Sequence, residues 1–183
     1  MTARMILAAA LLLALTSGAK AAGADVETTI SQFSAALHAG DSKAAKTFLT
    51  ARTVILDDVA PYYWGGPNAF ETWQTDLAKA STARGMREED AALGAPTRVE
   101  VSGDHAYAVL PATHTFKMKG RVMREVAQLT FILAKDTAGW KITSWAWTGP
   151  KATPVPLGHG GKRPKPLIQP FSTHNGSVMM PVS

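Results

Sequence analysis

The feature that most restricts the fold is a run of strand-like segments in the second half of the chain. Apolar and polar residues alternate there, and short turns with hairpin chemistry separate the segments. The turns fall at Ser102-Gly103-Asp104, at Lys119-Gly120 and at residues 136–139. This pattern predicts antiparallel strands over residues 86–93, 97–102, 106–117, 121–135 and 140–148.

Helical patterns precede the strands. Apolar residues recur at helical spacing from Val26 to Leu37, with Asp25 as the expected N-cap. Further helices are predicted over residues 42–51 and after Pro67, with a short strand at residues 53–58 between them. Helices followed by a run of hairpins predict an α+β fold, in which three helices pack in a strongly curved antiparallel sheet.

The first residues have the pattern of a secretory signal peptide. Arg4 is followed by an apolar run over residues 5–15, which is shorter than the roughly 20 residues of a transmembrane helix. Small residues then give two cleavage sites, after Ala21 and, as second choice, after Ala24. We therefore expect residues 1–21 to be a signal peptide and the protein to be secreted or periplasmic, the alternative being a buried N-terminal helix.

The last residues differ in composition from the rest of the chain. Seven of the eleven prolines lie from Pro150 onward, and apolar residues show no period there. We expect a folded domain over residues 22–149 and a disordered, basic tail rich in proline and glycine over residues 150–183. The tail has four basic residues and no acid, so its cluster at residues 162–165 is a candidate contact for an anionic envelope surface.

Charge and composition exclude several classes of function. The formal net charge of +5 falls to −1 when the four basic residues of the tail and the two of the leader are subtracted. A near-neutral body argues against a nucleic-acid groove. The chain has no cysteine and no histidine spacing typical of a metal site, and the body has no phosphate-loop or dinucleotide motif. We therefore expect neither a metal nor a cofactor.

Four segments carry a resemblance to a known superfamily. The sequences GDSKAAKTFLT, VILDD, WGGPNAFETW and GWKITSWAWTGP resemble nuclear transport factor 2-like proteins, and among them the SnoaL-like members. The resemblance covers about residues 26–149. It implies a cone-shaped, cystatin-like sheet around three helices, with an internal cavity and frequent dimerisation through the outer sheet face. The superfamily includes isomerases, dehydratases, cyclases, hydrolases and non-enzymes, so function has to be argued from the site.

Two carboxylates and one histidine are the candidate catalytic residues. Asp57 and Asp58 are adjacent at the end of a predicted strand, so at most one of them faces a cavity. The resembled steroid isomerases have a general-base aspartate in this region of the fold. His114 lies within a central strand, where a neutral imidazole serves as acid or base or as a hydrogen-bonded structural group.

Aromatic residues are the candidate ligand-binding residues. A loop carries Tyr62, Tyr63 and Trp64, which are expected either to contact an apolar ligand at the cavity mouth or to fill the open end of the cone. The cavity is expected to be lined by loop, helix and strand side chains, namely Tyr62, Trp64, Trp73, His114, Phe116 and Phe131.

The last strand is apolar on both faces if it is regular. Trp145 and Trp147 share one face, while Trp140, Ile142 and Ala146 take the other. Such a strand is buried against its own core and against a second element, which favours a homodimer. The alternative is a bulge that brings both sets into one core.

These observations lead to three hypotheses. The first is an exported, dimeric module that binds a small apolar ligand without catalysis. The second is a cofactor-independent isomerase or dehydratase of the ketosteroid-isomerase type, with Asp57 or Asp58 as base and His114 or a loop tyrosine as acid or oxyanion donor. The third is an interaction domain whose tail docks to a partner.

Overall fold

The computed structural model describes residues 3–156, with side-chain environments from residue 21 onward. Two helices, two strands and a third helix come first and are followed by a run of strands. Their bounds are α1 Ala3–His38, α2 Ser42–Lys46, β1 Leu49–Leu56, β2 Tyr63–Trp64, α3 Ala69–Arg84, β3 Arg87–Leu93, β4 Arg98–Ser102, β5 His105–Met118, β6 Arg121–Asp136, β7 Gly139–Thr148 and β8 Thr153–Pro154. The predicted α+β class is confirmed.

The strands form one curled, unclosed sheet in the order β2-β1-β7-β6-β5-β3. β3 and β4 pair with successive halves of β5, and β7 and β8 pair with successive stretches of β6. All pairings are antiparallel except β1 with β7, which is parallel; α3 and the strands β2 to β6 lie between them in the chain and form the connection. The three helices pack on the inner face of the sheet, where Phe33, Ala45 and Phe70 join the core.

The first helix is longer than the sequence pattern predicts. α1 continues from Ala3 through Asp25 to His38, and the carbonyl oxygens of Ala24 and Asp25 accept hydrogen bonds from threonine hydroxyls one turn later. Asp25 is therefore not an N-cap, because the alanine- and leucine-rich segment before it also favours a helix. The predicted cleavage site after Ala21 lies within α1. Within the described part of the chain, no helix is long and apolar enough to span a membrane.

The second helix is shorter than predicted. α2 has its side-chain cap at Asp41, as expected, but it ends at Lys46 rather than at residue 51. The following residues pair with β7: Leu49 lies beside Ile142, and the Ile142 amide donates to the Phe48 carbonyl at 2.8 Å. Tertiary pairing therefore overrides the local helical pattern there.

A β-bulge decides how the last long strand is buried. Ile132 pairs with Ser144 and Leu133 pairs with Ile142, so Thr143 is an extra residue in β7. The Thr143 hydroxyl donates to the Ile132 carbonyl at 3.0 Å. The bulge shifts the side-chain alternation by one residue and brings Trp140, Ile142 and Trp145 into one core. The two-sided pattern of β7 therefore gives no evidence for a second subunit.

Ordered chain continues beyond the predicted domain limit at residue 149. β8 pairs with the start of β6, where Pro154 lies beside Met123 and the Val155 amide donates to the Val122 carbonyl at 2.9 Å. This short strand occupies the sheet position that β7 leaves when it ends at Thr148. The predicted tail from residue 157 onward lies outside the described residues.

Candidate functional site

The loop between β1 and β2 determines where the two candidate aspartates point. β1 ends at Leu56, so Asp57 and Asp58 both follow the strand. The Asp57 amide donates to the Tyr62 carbonyl at 3.3 Å, and the Tyr62 amide donates to the Val59 carbonyl at 2.8 Å. This compact loop turns Asp57 inward, where it is half-buried, and leaves Asp58 exposed. One of the two carboxylates therefore reaches the interior.

Asp57 is bonded to the indole of an α3 residue. Trp73 Nε1 donates to Asp57 Oδ2 at 2.9 Å. Burial raises the pKa of Asp57 to about 6 and the neighbouring Asp58 adds to the rise, although the hydrogen bond from Trp73 lowers it. A carboxyl group with a pKa near 6 changes protonation state close to neutral pH, so Asp57 is chemically able to donate or accept a proton there.

A groove of about 460 Å³ lies between the loop, β2 and the first turns of α3. Its walls combine two aromatic residues and two prolines with three polar and two small residues; they are Pro61, Tyr63, Trp64, Gly65, Pro67, Asn68, Ala69, Thr72 and Asp76. Trp64 is buried, and its Nε1 donates to Asp76 Oδ2 at 3.0 Å. Tyr63 is 58% exposed, so much of its ring is available to a bound molecule.

Two of the predicted aromatic residues belong to the packed interior. The Trp73 ring stacks on Phe70 at 6.0 Å and meets Trp145 edge-on at 5.4 Å. Phe131 has no exposed surface, and its ring lies 6.4 Å from Phe33 of α1. Phe131 is therefore a core residue, which corrects the expectation that it lines a cavity. Tyr62 is 62% exposed and is not among the groove residues.

His114 lies at a different part of the inner sheet face. Its Nε2 is 3.5 Å from Glu89 Oε2, and its ring centroid is 4.9 Å from Phe116 and 6.4 Å from Trp147. Ser81 at the end of α3 donates to the same Glu89 oxygen at 3.0 Å. His114 thus belongs to a polar cluster on β3 and β5, whereas the groove lies at β2 and α3. The structure does not bring the predicted lining residues together in one cavity.

Glu125 is a notable residue that the sequence reasoning missed. It is 6% exposed, it faces His114 across the β5–β6 pair, and it accepts a hydrogen bond from Trp147 Nε1 at 2.7 Å. A β-carbon on Gly149 would lie 2.8 Å from Glu125 Oε1, so the chain passes directly over this carboxylate. The signal was present, because Glu125 alternates in phase with the apolar Met123 and Ala127.

The inner face of β5 and β6 thus has two halves. The packed half comprises residues 106–110 of β5 and 129–133 of β6, and the polar half comprises residues 112–118 and 123–127. His114 and Glu125 lie in the polar half. Among the described residues, no group of three or more His, Asp or Glu side chains is arranged to hold a metal ion.

Solved structures with the same fold include proteins of different activity. A nuclear transport factor 2-like protein with a cystatin-like fold from Novosphingobium aromaticivorans is 19% identical, with a TM-score of 0.54, and the match covers 80% of this chain and 90% of that one. A ketosteroid isomerase-like protein from Erwinia carotovora is 16% identical, with a TM-score of 0.54 and coverage of 70% and 96%.

A type 2 hexachlorocyclohexane dehydrochlorinase is 11% identical, with a TM-score of 0.58, and the match covers 74% of this chain and 93% of that one. At these identities the likeness shows the fold alone. No curated protein matches the chain. The family model of the SnoaL-like domain matches residues 26–147, from the middle of α1 to the penultimate residue of β7. The chain therefore belongs to the SnoaL-like domain family.

Proposed function

We propose that the protein is an exported module that binds a small, largely apolar molecule in the groove between β2 and α3. The observation that carries the proposal is the groove itself. Its volume of about 460 Å³ lies within the roughly 300–1,000 Å³ range of small-molecule sites, and its walls include two aromatic residues and two prolines. The groove's carboxylate, Asp76, is a hydrogen-bond acceptor that favours a ligand with one hydroxyl or amine group.

Binding is tested by titrating the full chain with small phenols and naphthols while tryptophan emission is recorded. We expect saturable changes, because Trp64 forms part of the groove wall. Tyr63→Ala is expected to weaken binding about tenfold, since it removes an exposed ring from the site. Tyr107→Ala is the matched control, because Tyr107 lines a groove of about 470 Å³ elsewhere on the molecule. Equal effects of the two substitutions, or no saturable change, would contradict the proposal.

Export is supported by the signal-peptide pattern of residues 1–21. The test is the intact mass of protein recovered from the periplasm or medium of the expressing cells. We expect the mass of a chain that begins at Ala22, or at Asp25 if the second site is used. Recovery of the full-length mass, with residues 5–15 retained, would overturn export by this route.

Asp57 favours a second candidate function, proton transfer without a cofactor. Its pKa of about 6 suits a general base near neutral pH, and the aromatic ring of Trp73 is beside it. We expect a screen of enolisable ketones and hydroxy compounds to identify a substrate, and Asp57→Asn to lower kcat by about a hundredfold with little change in KM.

His114→Ala tests whether the distant polar cluster participates. His114 pairs with Glu89 and lies away from the loop that carries Asp57, so we expect its replacement to leave kcat within about threefold of the original value. Turnover that is unaffected by Asp57→Asn would remove the catalytic proposal and leave ligand binding.

A further inference from the structure

The groove and the sequence of the end of the chain complement each other in side-chain type and charge. We propose that the groove between β2 and α3 also holds a segment of the same chain, residues 166–171, with the sequence PLIQPF. The inference concerns an intramolecular contact and does not depend on whether a small ligand binds in the groove.

The first argument is the chemistry of the groove wall. Extended proline-rich segments dock into grooves lined by aromatic side chains, because the polyproline conformation is stiff and loses little entropy on binding. Tyr63 and Trp64 supply aromatic rings here, and Pro61 and Pro67 extend the apolar wall. Residues 166–171 contain two prolines, an apolar Leu-Ile pair and a phenylalanine, which fits such a wall.

The second argument is charge. The stretch 57–76, which contains the loop and most of the groove, has four acids and no lysine or arginine. Lys46 pairs with Glu71 and Lys79 lies 3.6 Å from Asp76, so the negative charge beside the groove comes from Asp57 and Asp58 of the loop. The chain beyond residue 156 has the three cations Lys162, Arg163 and Lys165 and no acid. Opposite charges on two parts of one chain favour their contact, most strongly at low ionic strength.

The third argument is reach. Val155 lies beside Val122 on β6, and the groove strand β2 lies three strands away at the level of Thr130. Strand spacings of about 4.8 Å and residue rises of about 3.4 Å place the two points about 30 Å apart. At about 3.1 Å per residue, the chain from Pro156 spans up to about 31 Å at Pro166 and about 43 Å at Pro170, so residues 166–171 reach the groove of their own molecule.

Disulfide trapping tests the contact, because the chain has no cysteine of its own. The test variant is Thr72→Cys with Gln169→Cys, since Thr72 is exposed and lines the groove. The control variant is Thr75→Cys with Gln169→Cys, since Thr75 is exposed and lies one turn from Thr72 on the same helix but does not line the groove. Both are oxidised gently as full-length protein, and circular dichroism confirms that each is folded.

We expect the Thr72 variant to form an intramolecular disulfide at least tenfold faster than the Thr75 variant. Adding Pro166→Ala and Pro170→Ala is expected to reduce this difference, as is 1 M salt. Equal rates in the two variants would overturn the proposal. Disulfide-linked dimers in place of linked monomers would also overturn it, because they would assign the groove to the tail of a second copy. Binding of small phenols is measured separately, so failure of one proposal is distinguishable from failure of the other.

Discussion

The packed half and the polar half of the inner sheet face are built from the same two strands, yet only the polar half places a histidine and a carboxylate among its apolar side chains. In the packed half, Ala108 and Phe131 are opposite each other and have no exposed surface. In the polar half, His114 and Glu125 are opposite each other at equivalent positions of the alternation. Strand periodicity decides which face a residue takes, but it does not decide whether that face is apolar.

The difference follows from what covers each half. α1 places Phe33 over the packed half, with ring centroids 6.4 Å from Phe131. The polar half lies near the end of α3, where Ser81 bonds to Glu89, and near Gly149, which contacts Glu125. A buried carboxylate contributes less to the stability of the fold than a well-packed apolar residue does. A polar half of this kind is therefore expected where a protein keeps a functional surface.

Core truncation is expected to have the largest effect and to separate the two halves. Phe131→Ala removes a ring with no exposed surface and is expected to lower the free energy of unfolding by about 3–5 kcal/mol. Phe116→Ala, in the polar half, is the matched control and is expected to cost at least 1 kcal/mol less. Its ring is 7% exposed and is not part of the main core cluster. Urea denaturation measures both, and equal losses would show that the two halves do not differ in packing.

The indole bond to Glu125 is expected to give the next largest effect. Trp147→Phe removes the donor of a 2.7 Å bond to a buried carboxylate, for which we expect a loss of about 2 kcal/mol beyond the lost ring volume. Trp140→Phe is a suitable control, because Trp140 Nε1 is buried and has no hydrogen-bond partner in the described part of the chain.

A double-mutant cycle isolates the contribution of the bond. In a Glu125→Gln background, Trp147→Phe is expected to cost about 1 kcal/mol less than in the original chain, because the charge no longer needs the donor. Additive losses in urea denaturation would mean that the polar half is stabilised by ring packing and not by this contact.

Local signals explain why the strands were predicted closely. Lys119 and Gly120 both have positive φ, 50° and 74°, which is the geometry of a two-residue hairpin turn. The turn fixes the register between β5 and β6, and the predicted limits of these strands lie within a residue or so of the observed ones. Hairpin turns and the alternation of apolar and polar residues both depend on residues that are neighbours in the sequence. A single sequence is therefore enough to identify them.

The candidate site, by contrast, depends on contacts between residues that are far apart in the sequence. Asp57 meets Trp73 of α3, and His114 meets Glu89, because loop and helix geometry bring them together. The sequence indicated that only one of Asp57 and Asp58 points inward, but the choice was made by the loop that follows β1. Residue type alone does not distinguish aromatic residues that line a site from those in the core. Burial separates Phe131 in the core from Tyr63 at the groove.

The pH dependence of stability compares Asp57 with the core around it. Burial raises the pKa of Asp57 from 3.8 to about 6, so between these values the folded protein holds a proton that the unfolded chain has released. The free energy of unfolding should therefore fall as pH rises from 4 to 6, and it should change little from this cause outside that window. Asp57→Asn should remove a decrease of up to about 3 kcal/mol, measured as the difference between the two unfolding profiles.

Two further variants test the directions in which Trp73 and Asp58 shift the pKa of Asp57. The hydrogen bond from Trp73 lowers the pKa of Asp57, so Trp73→Phe should raise that pKa further and extend the fall in stability to higher pH. Asp58 adds to the rise, so Asp58→Asn should shorten the window from its upper end while leaving the part caused by burial. Opposite shifts from the two variants are the expected result. Shifts in the same direction, or a profile of Asp57→Asn that matches the original chain, would show that another group titrates in this range and that Asp57 is as solvated as an ordinary surface carboxylate.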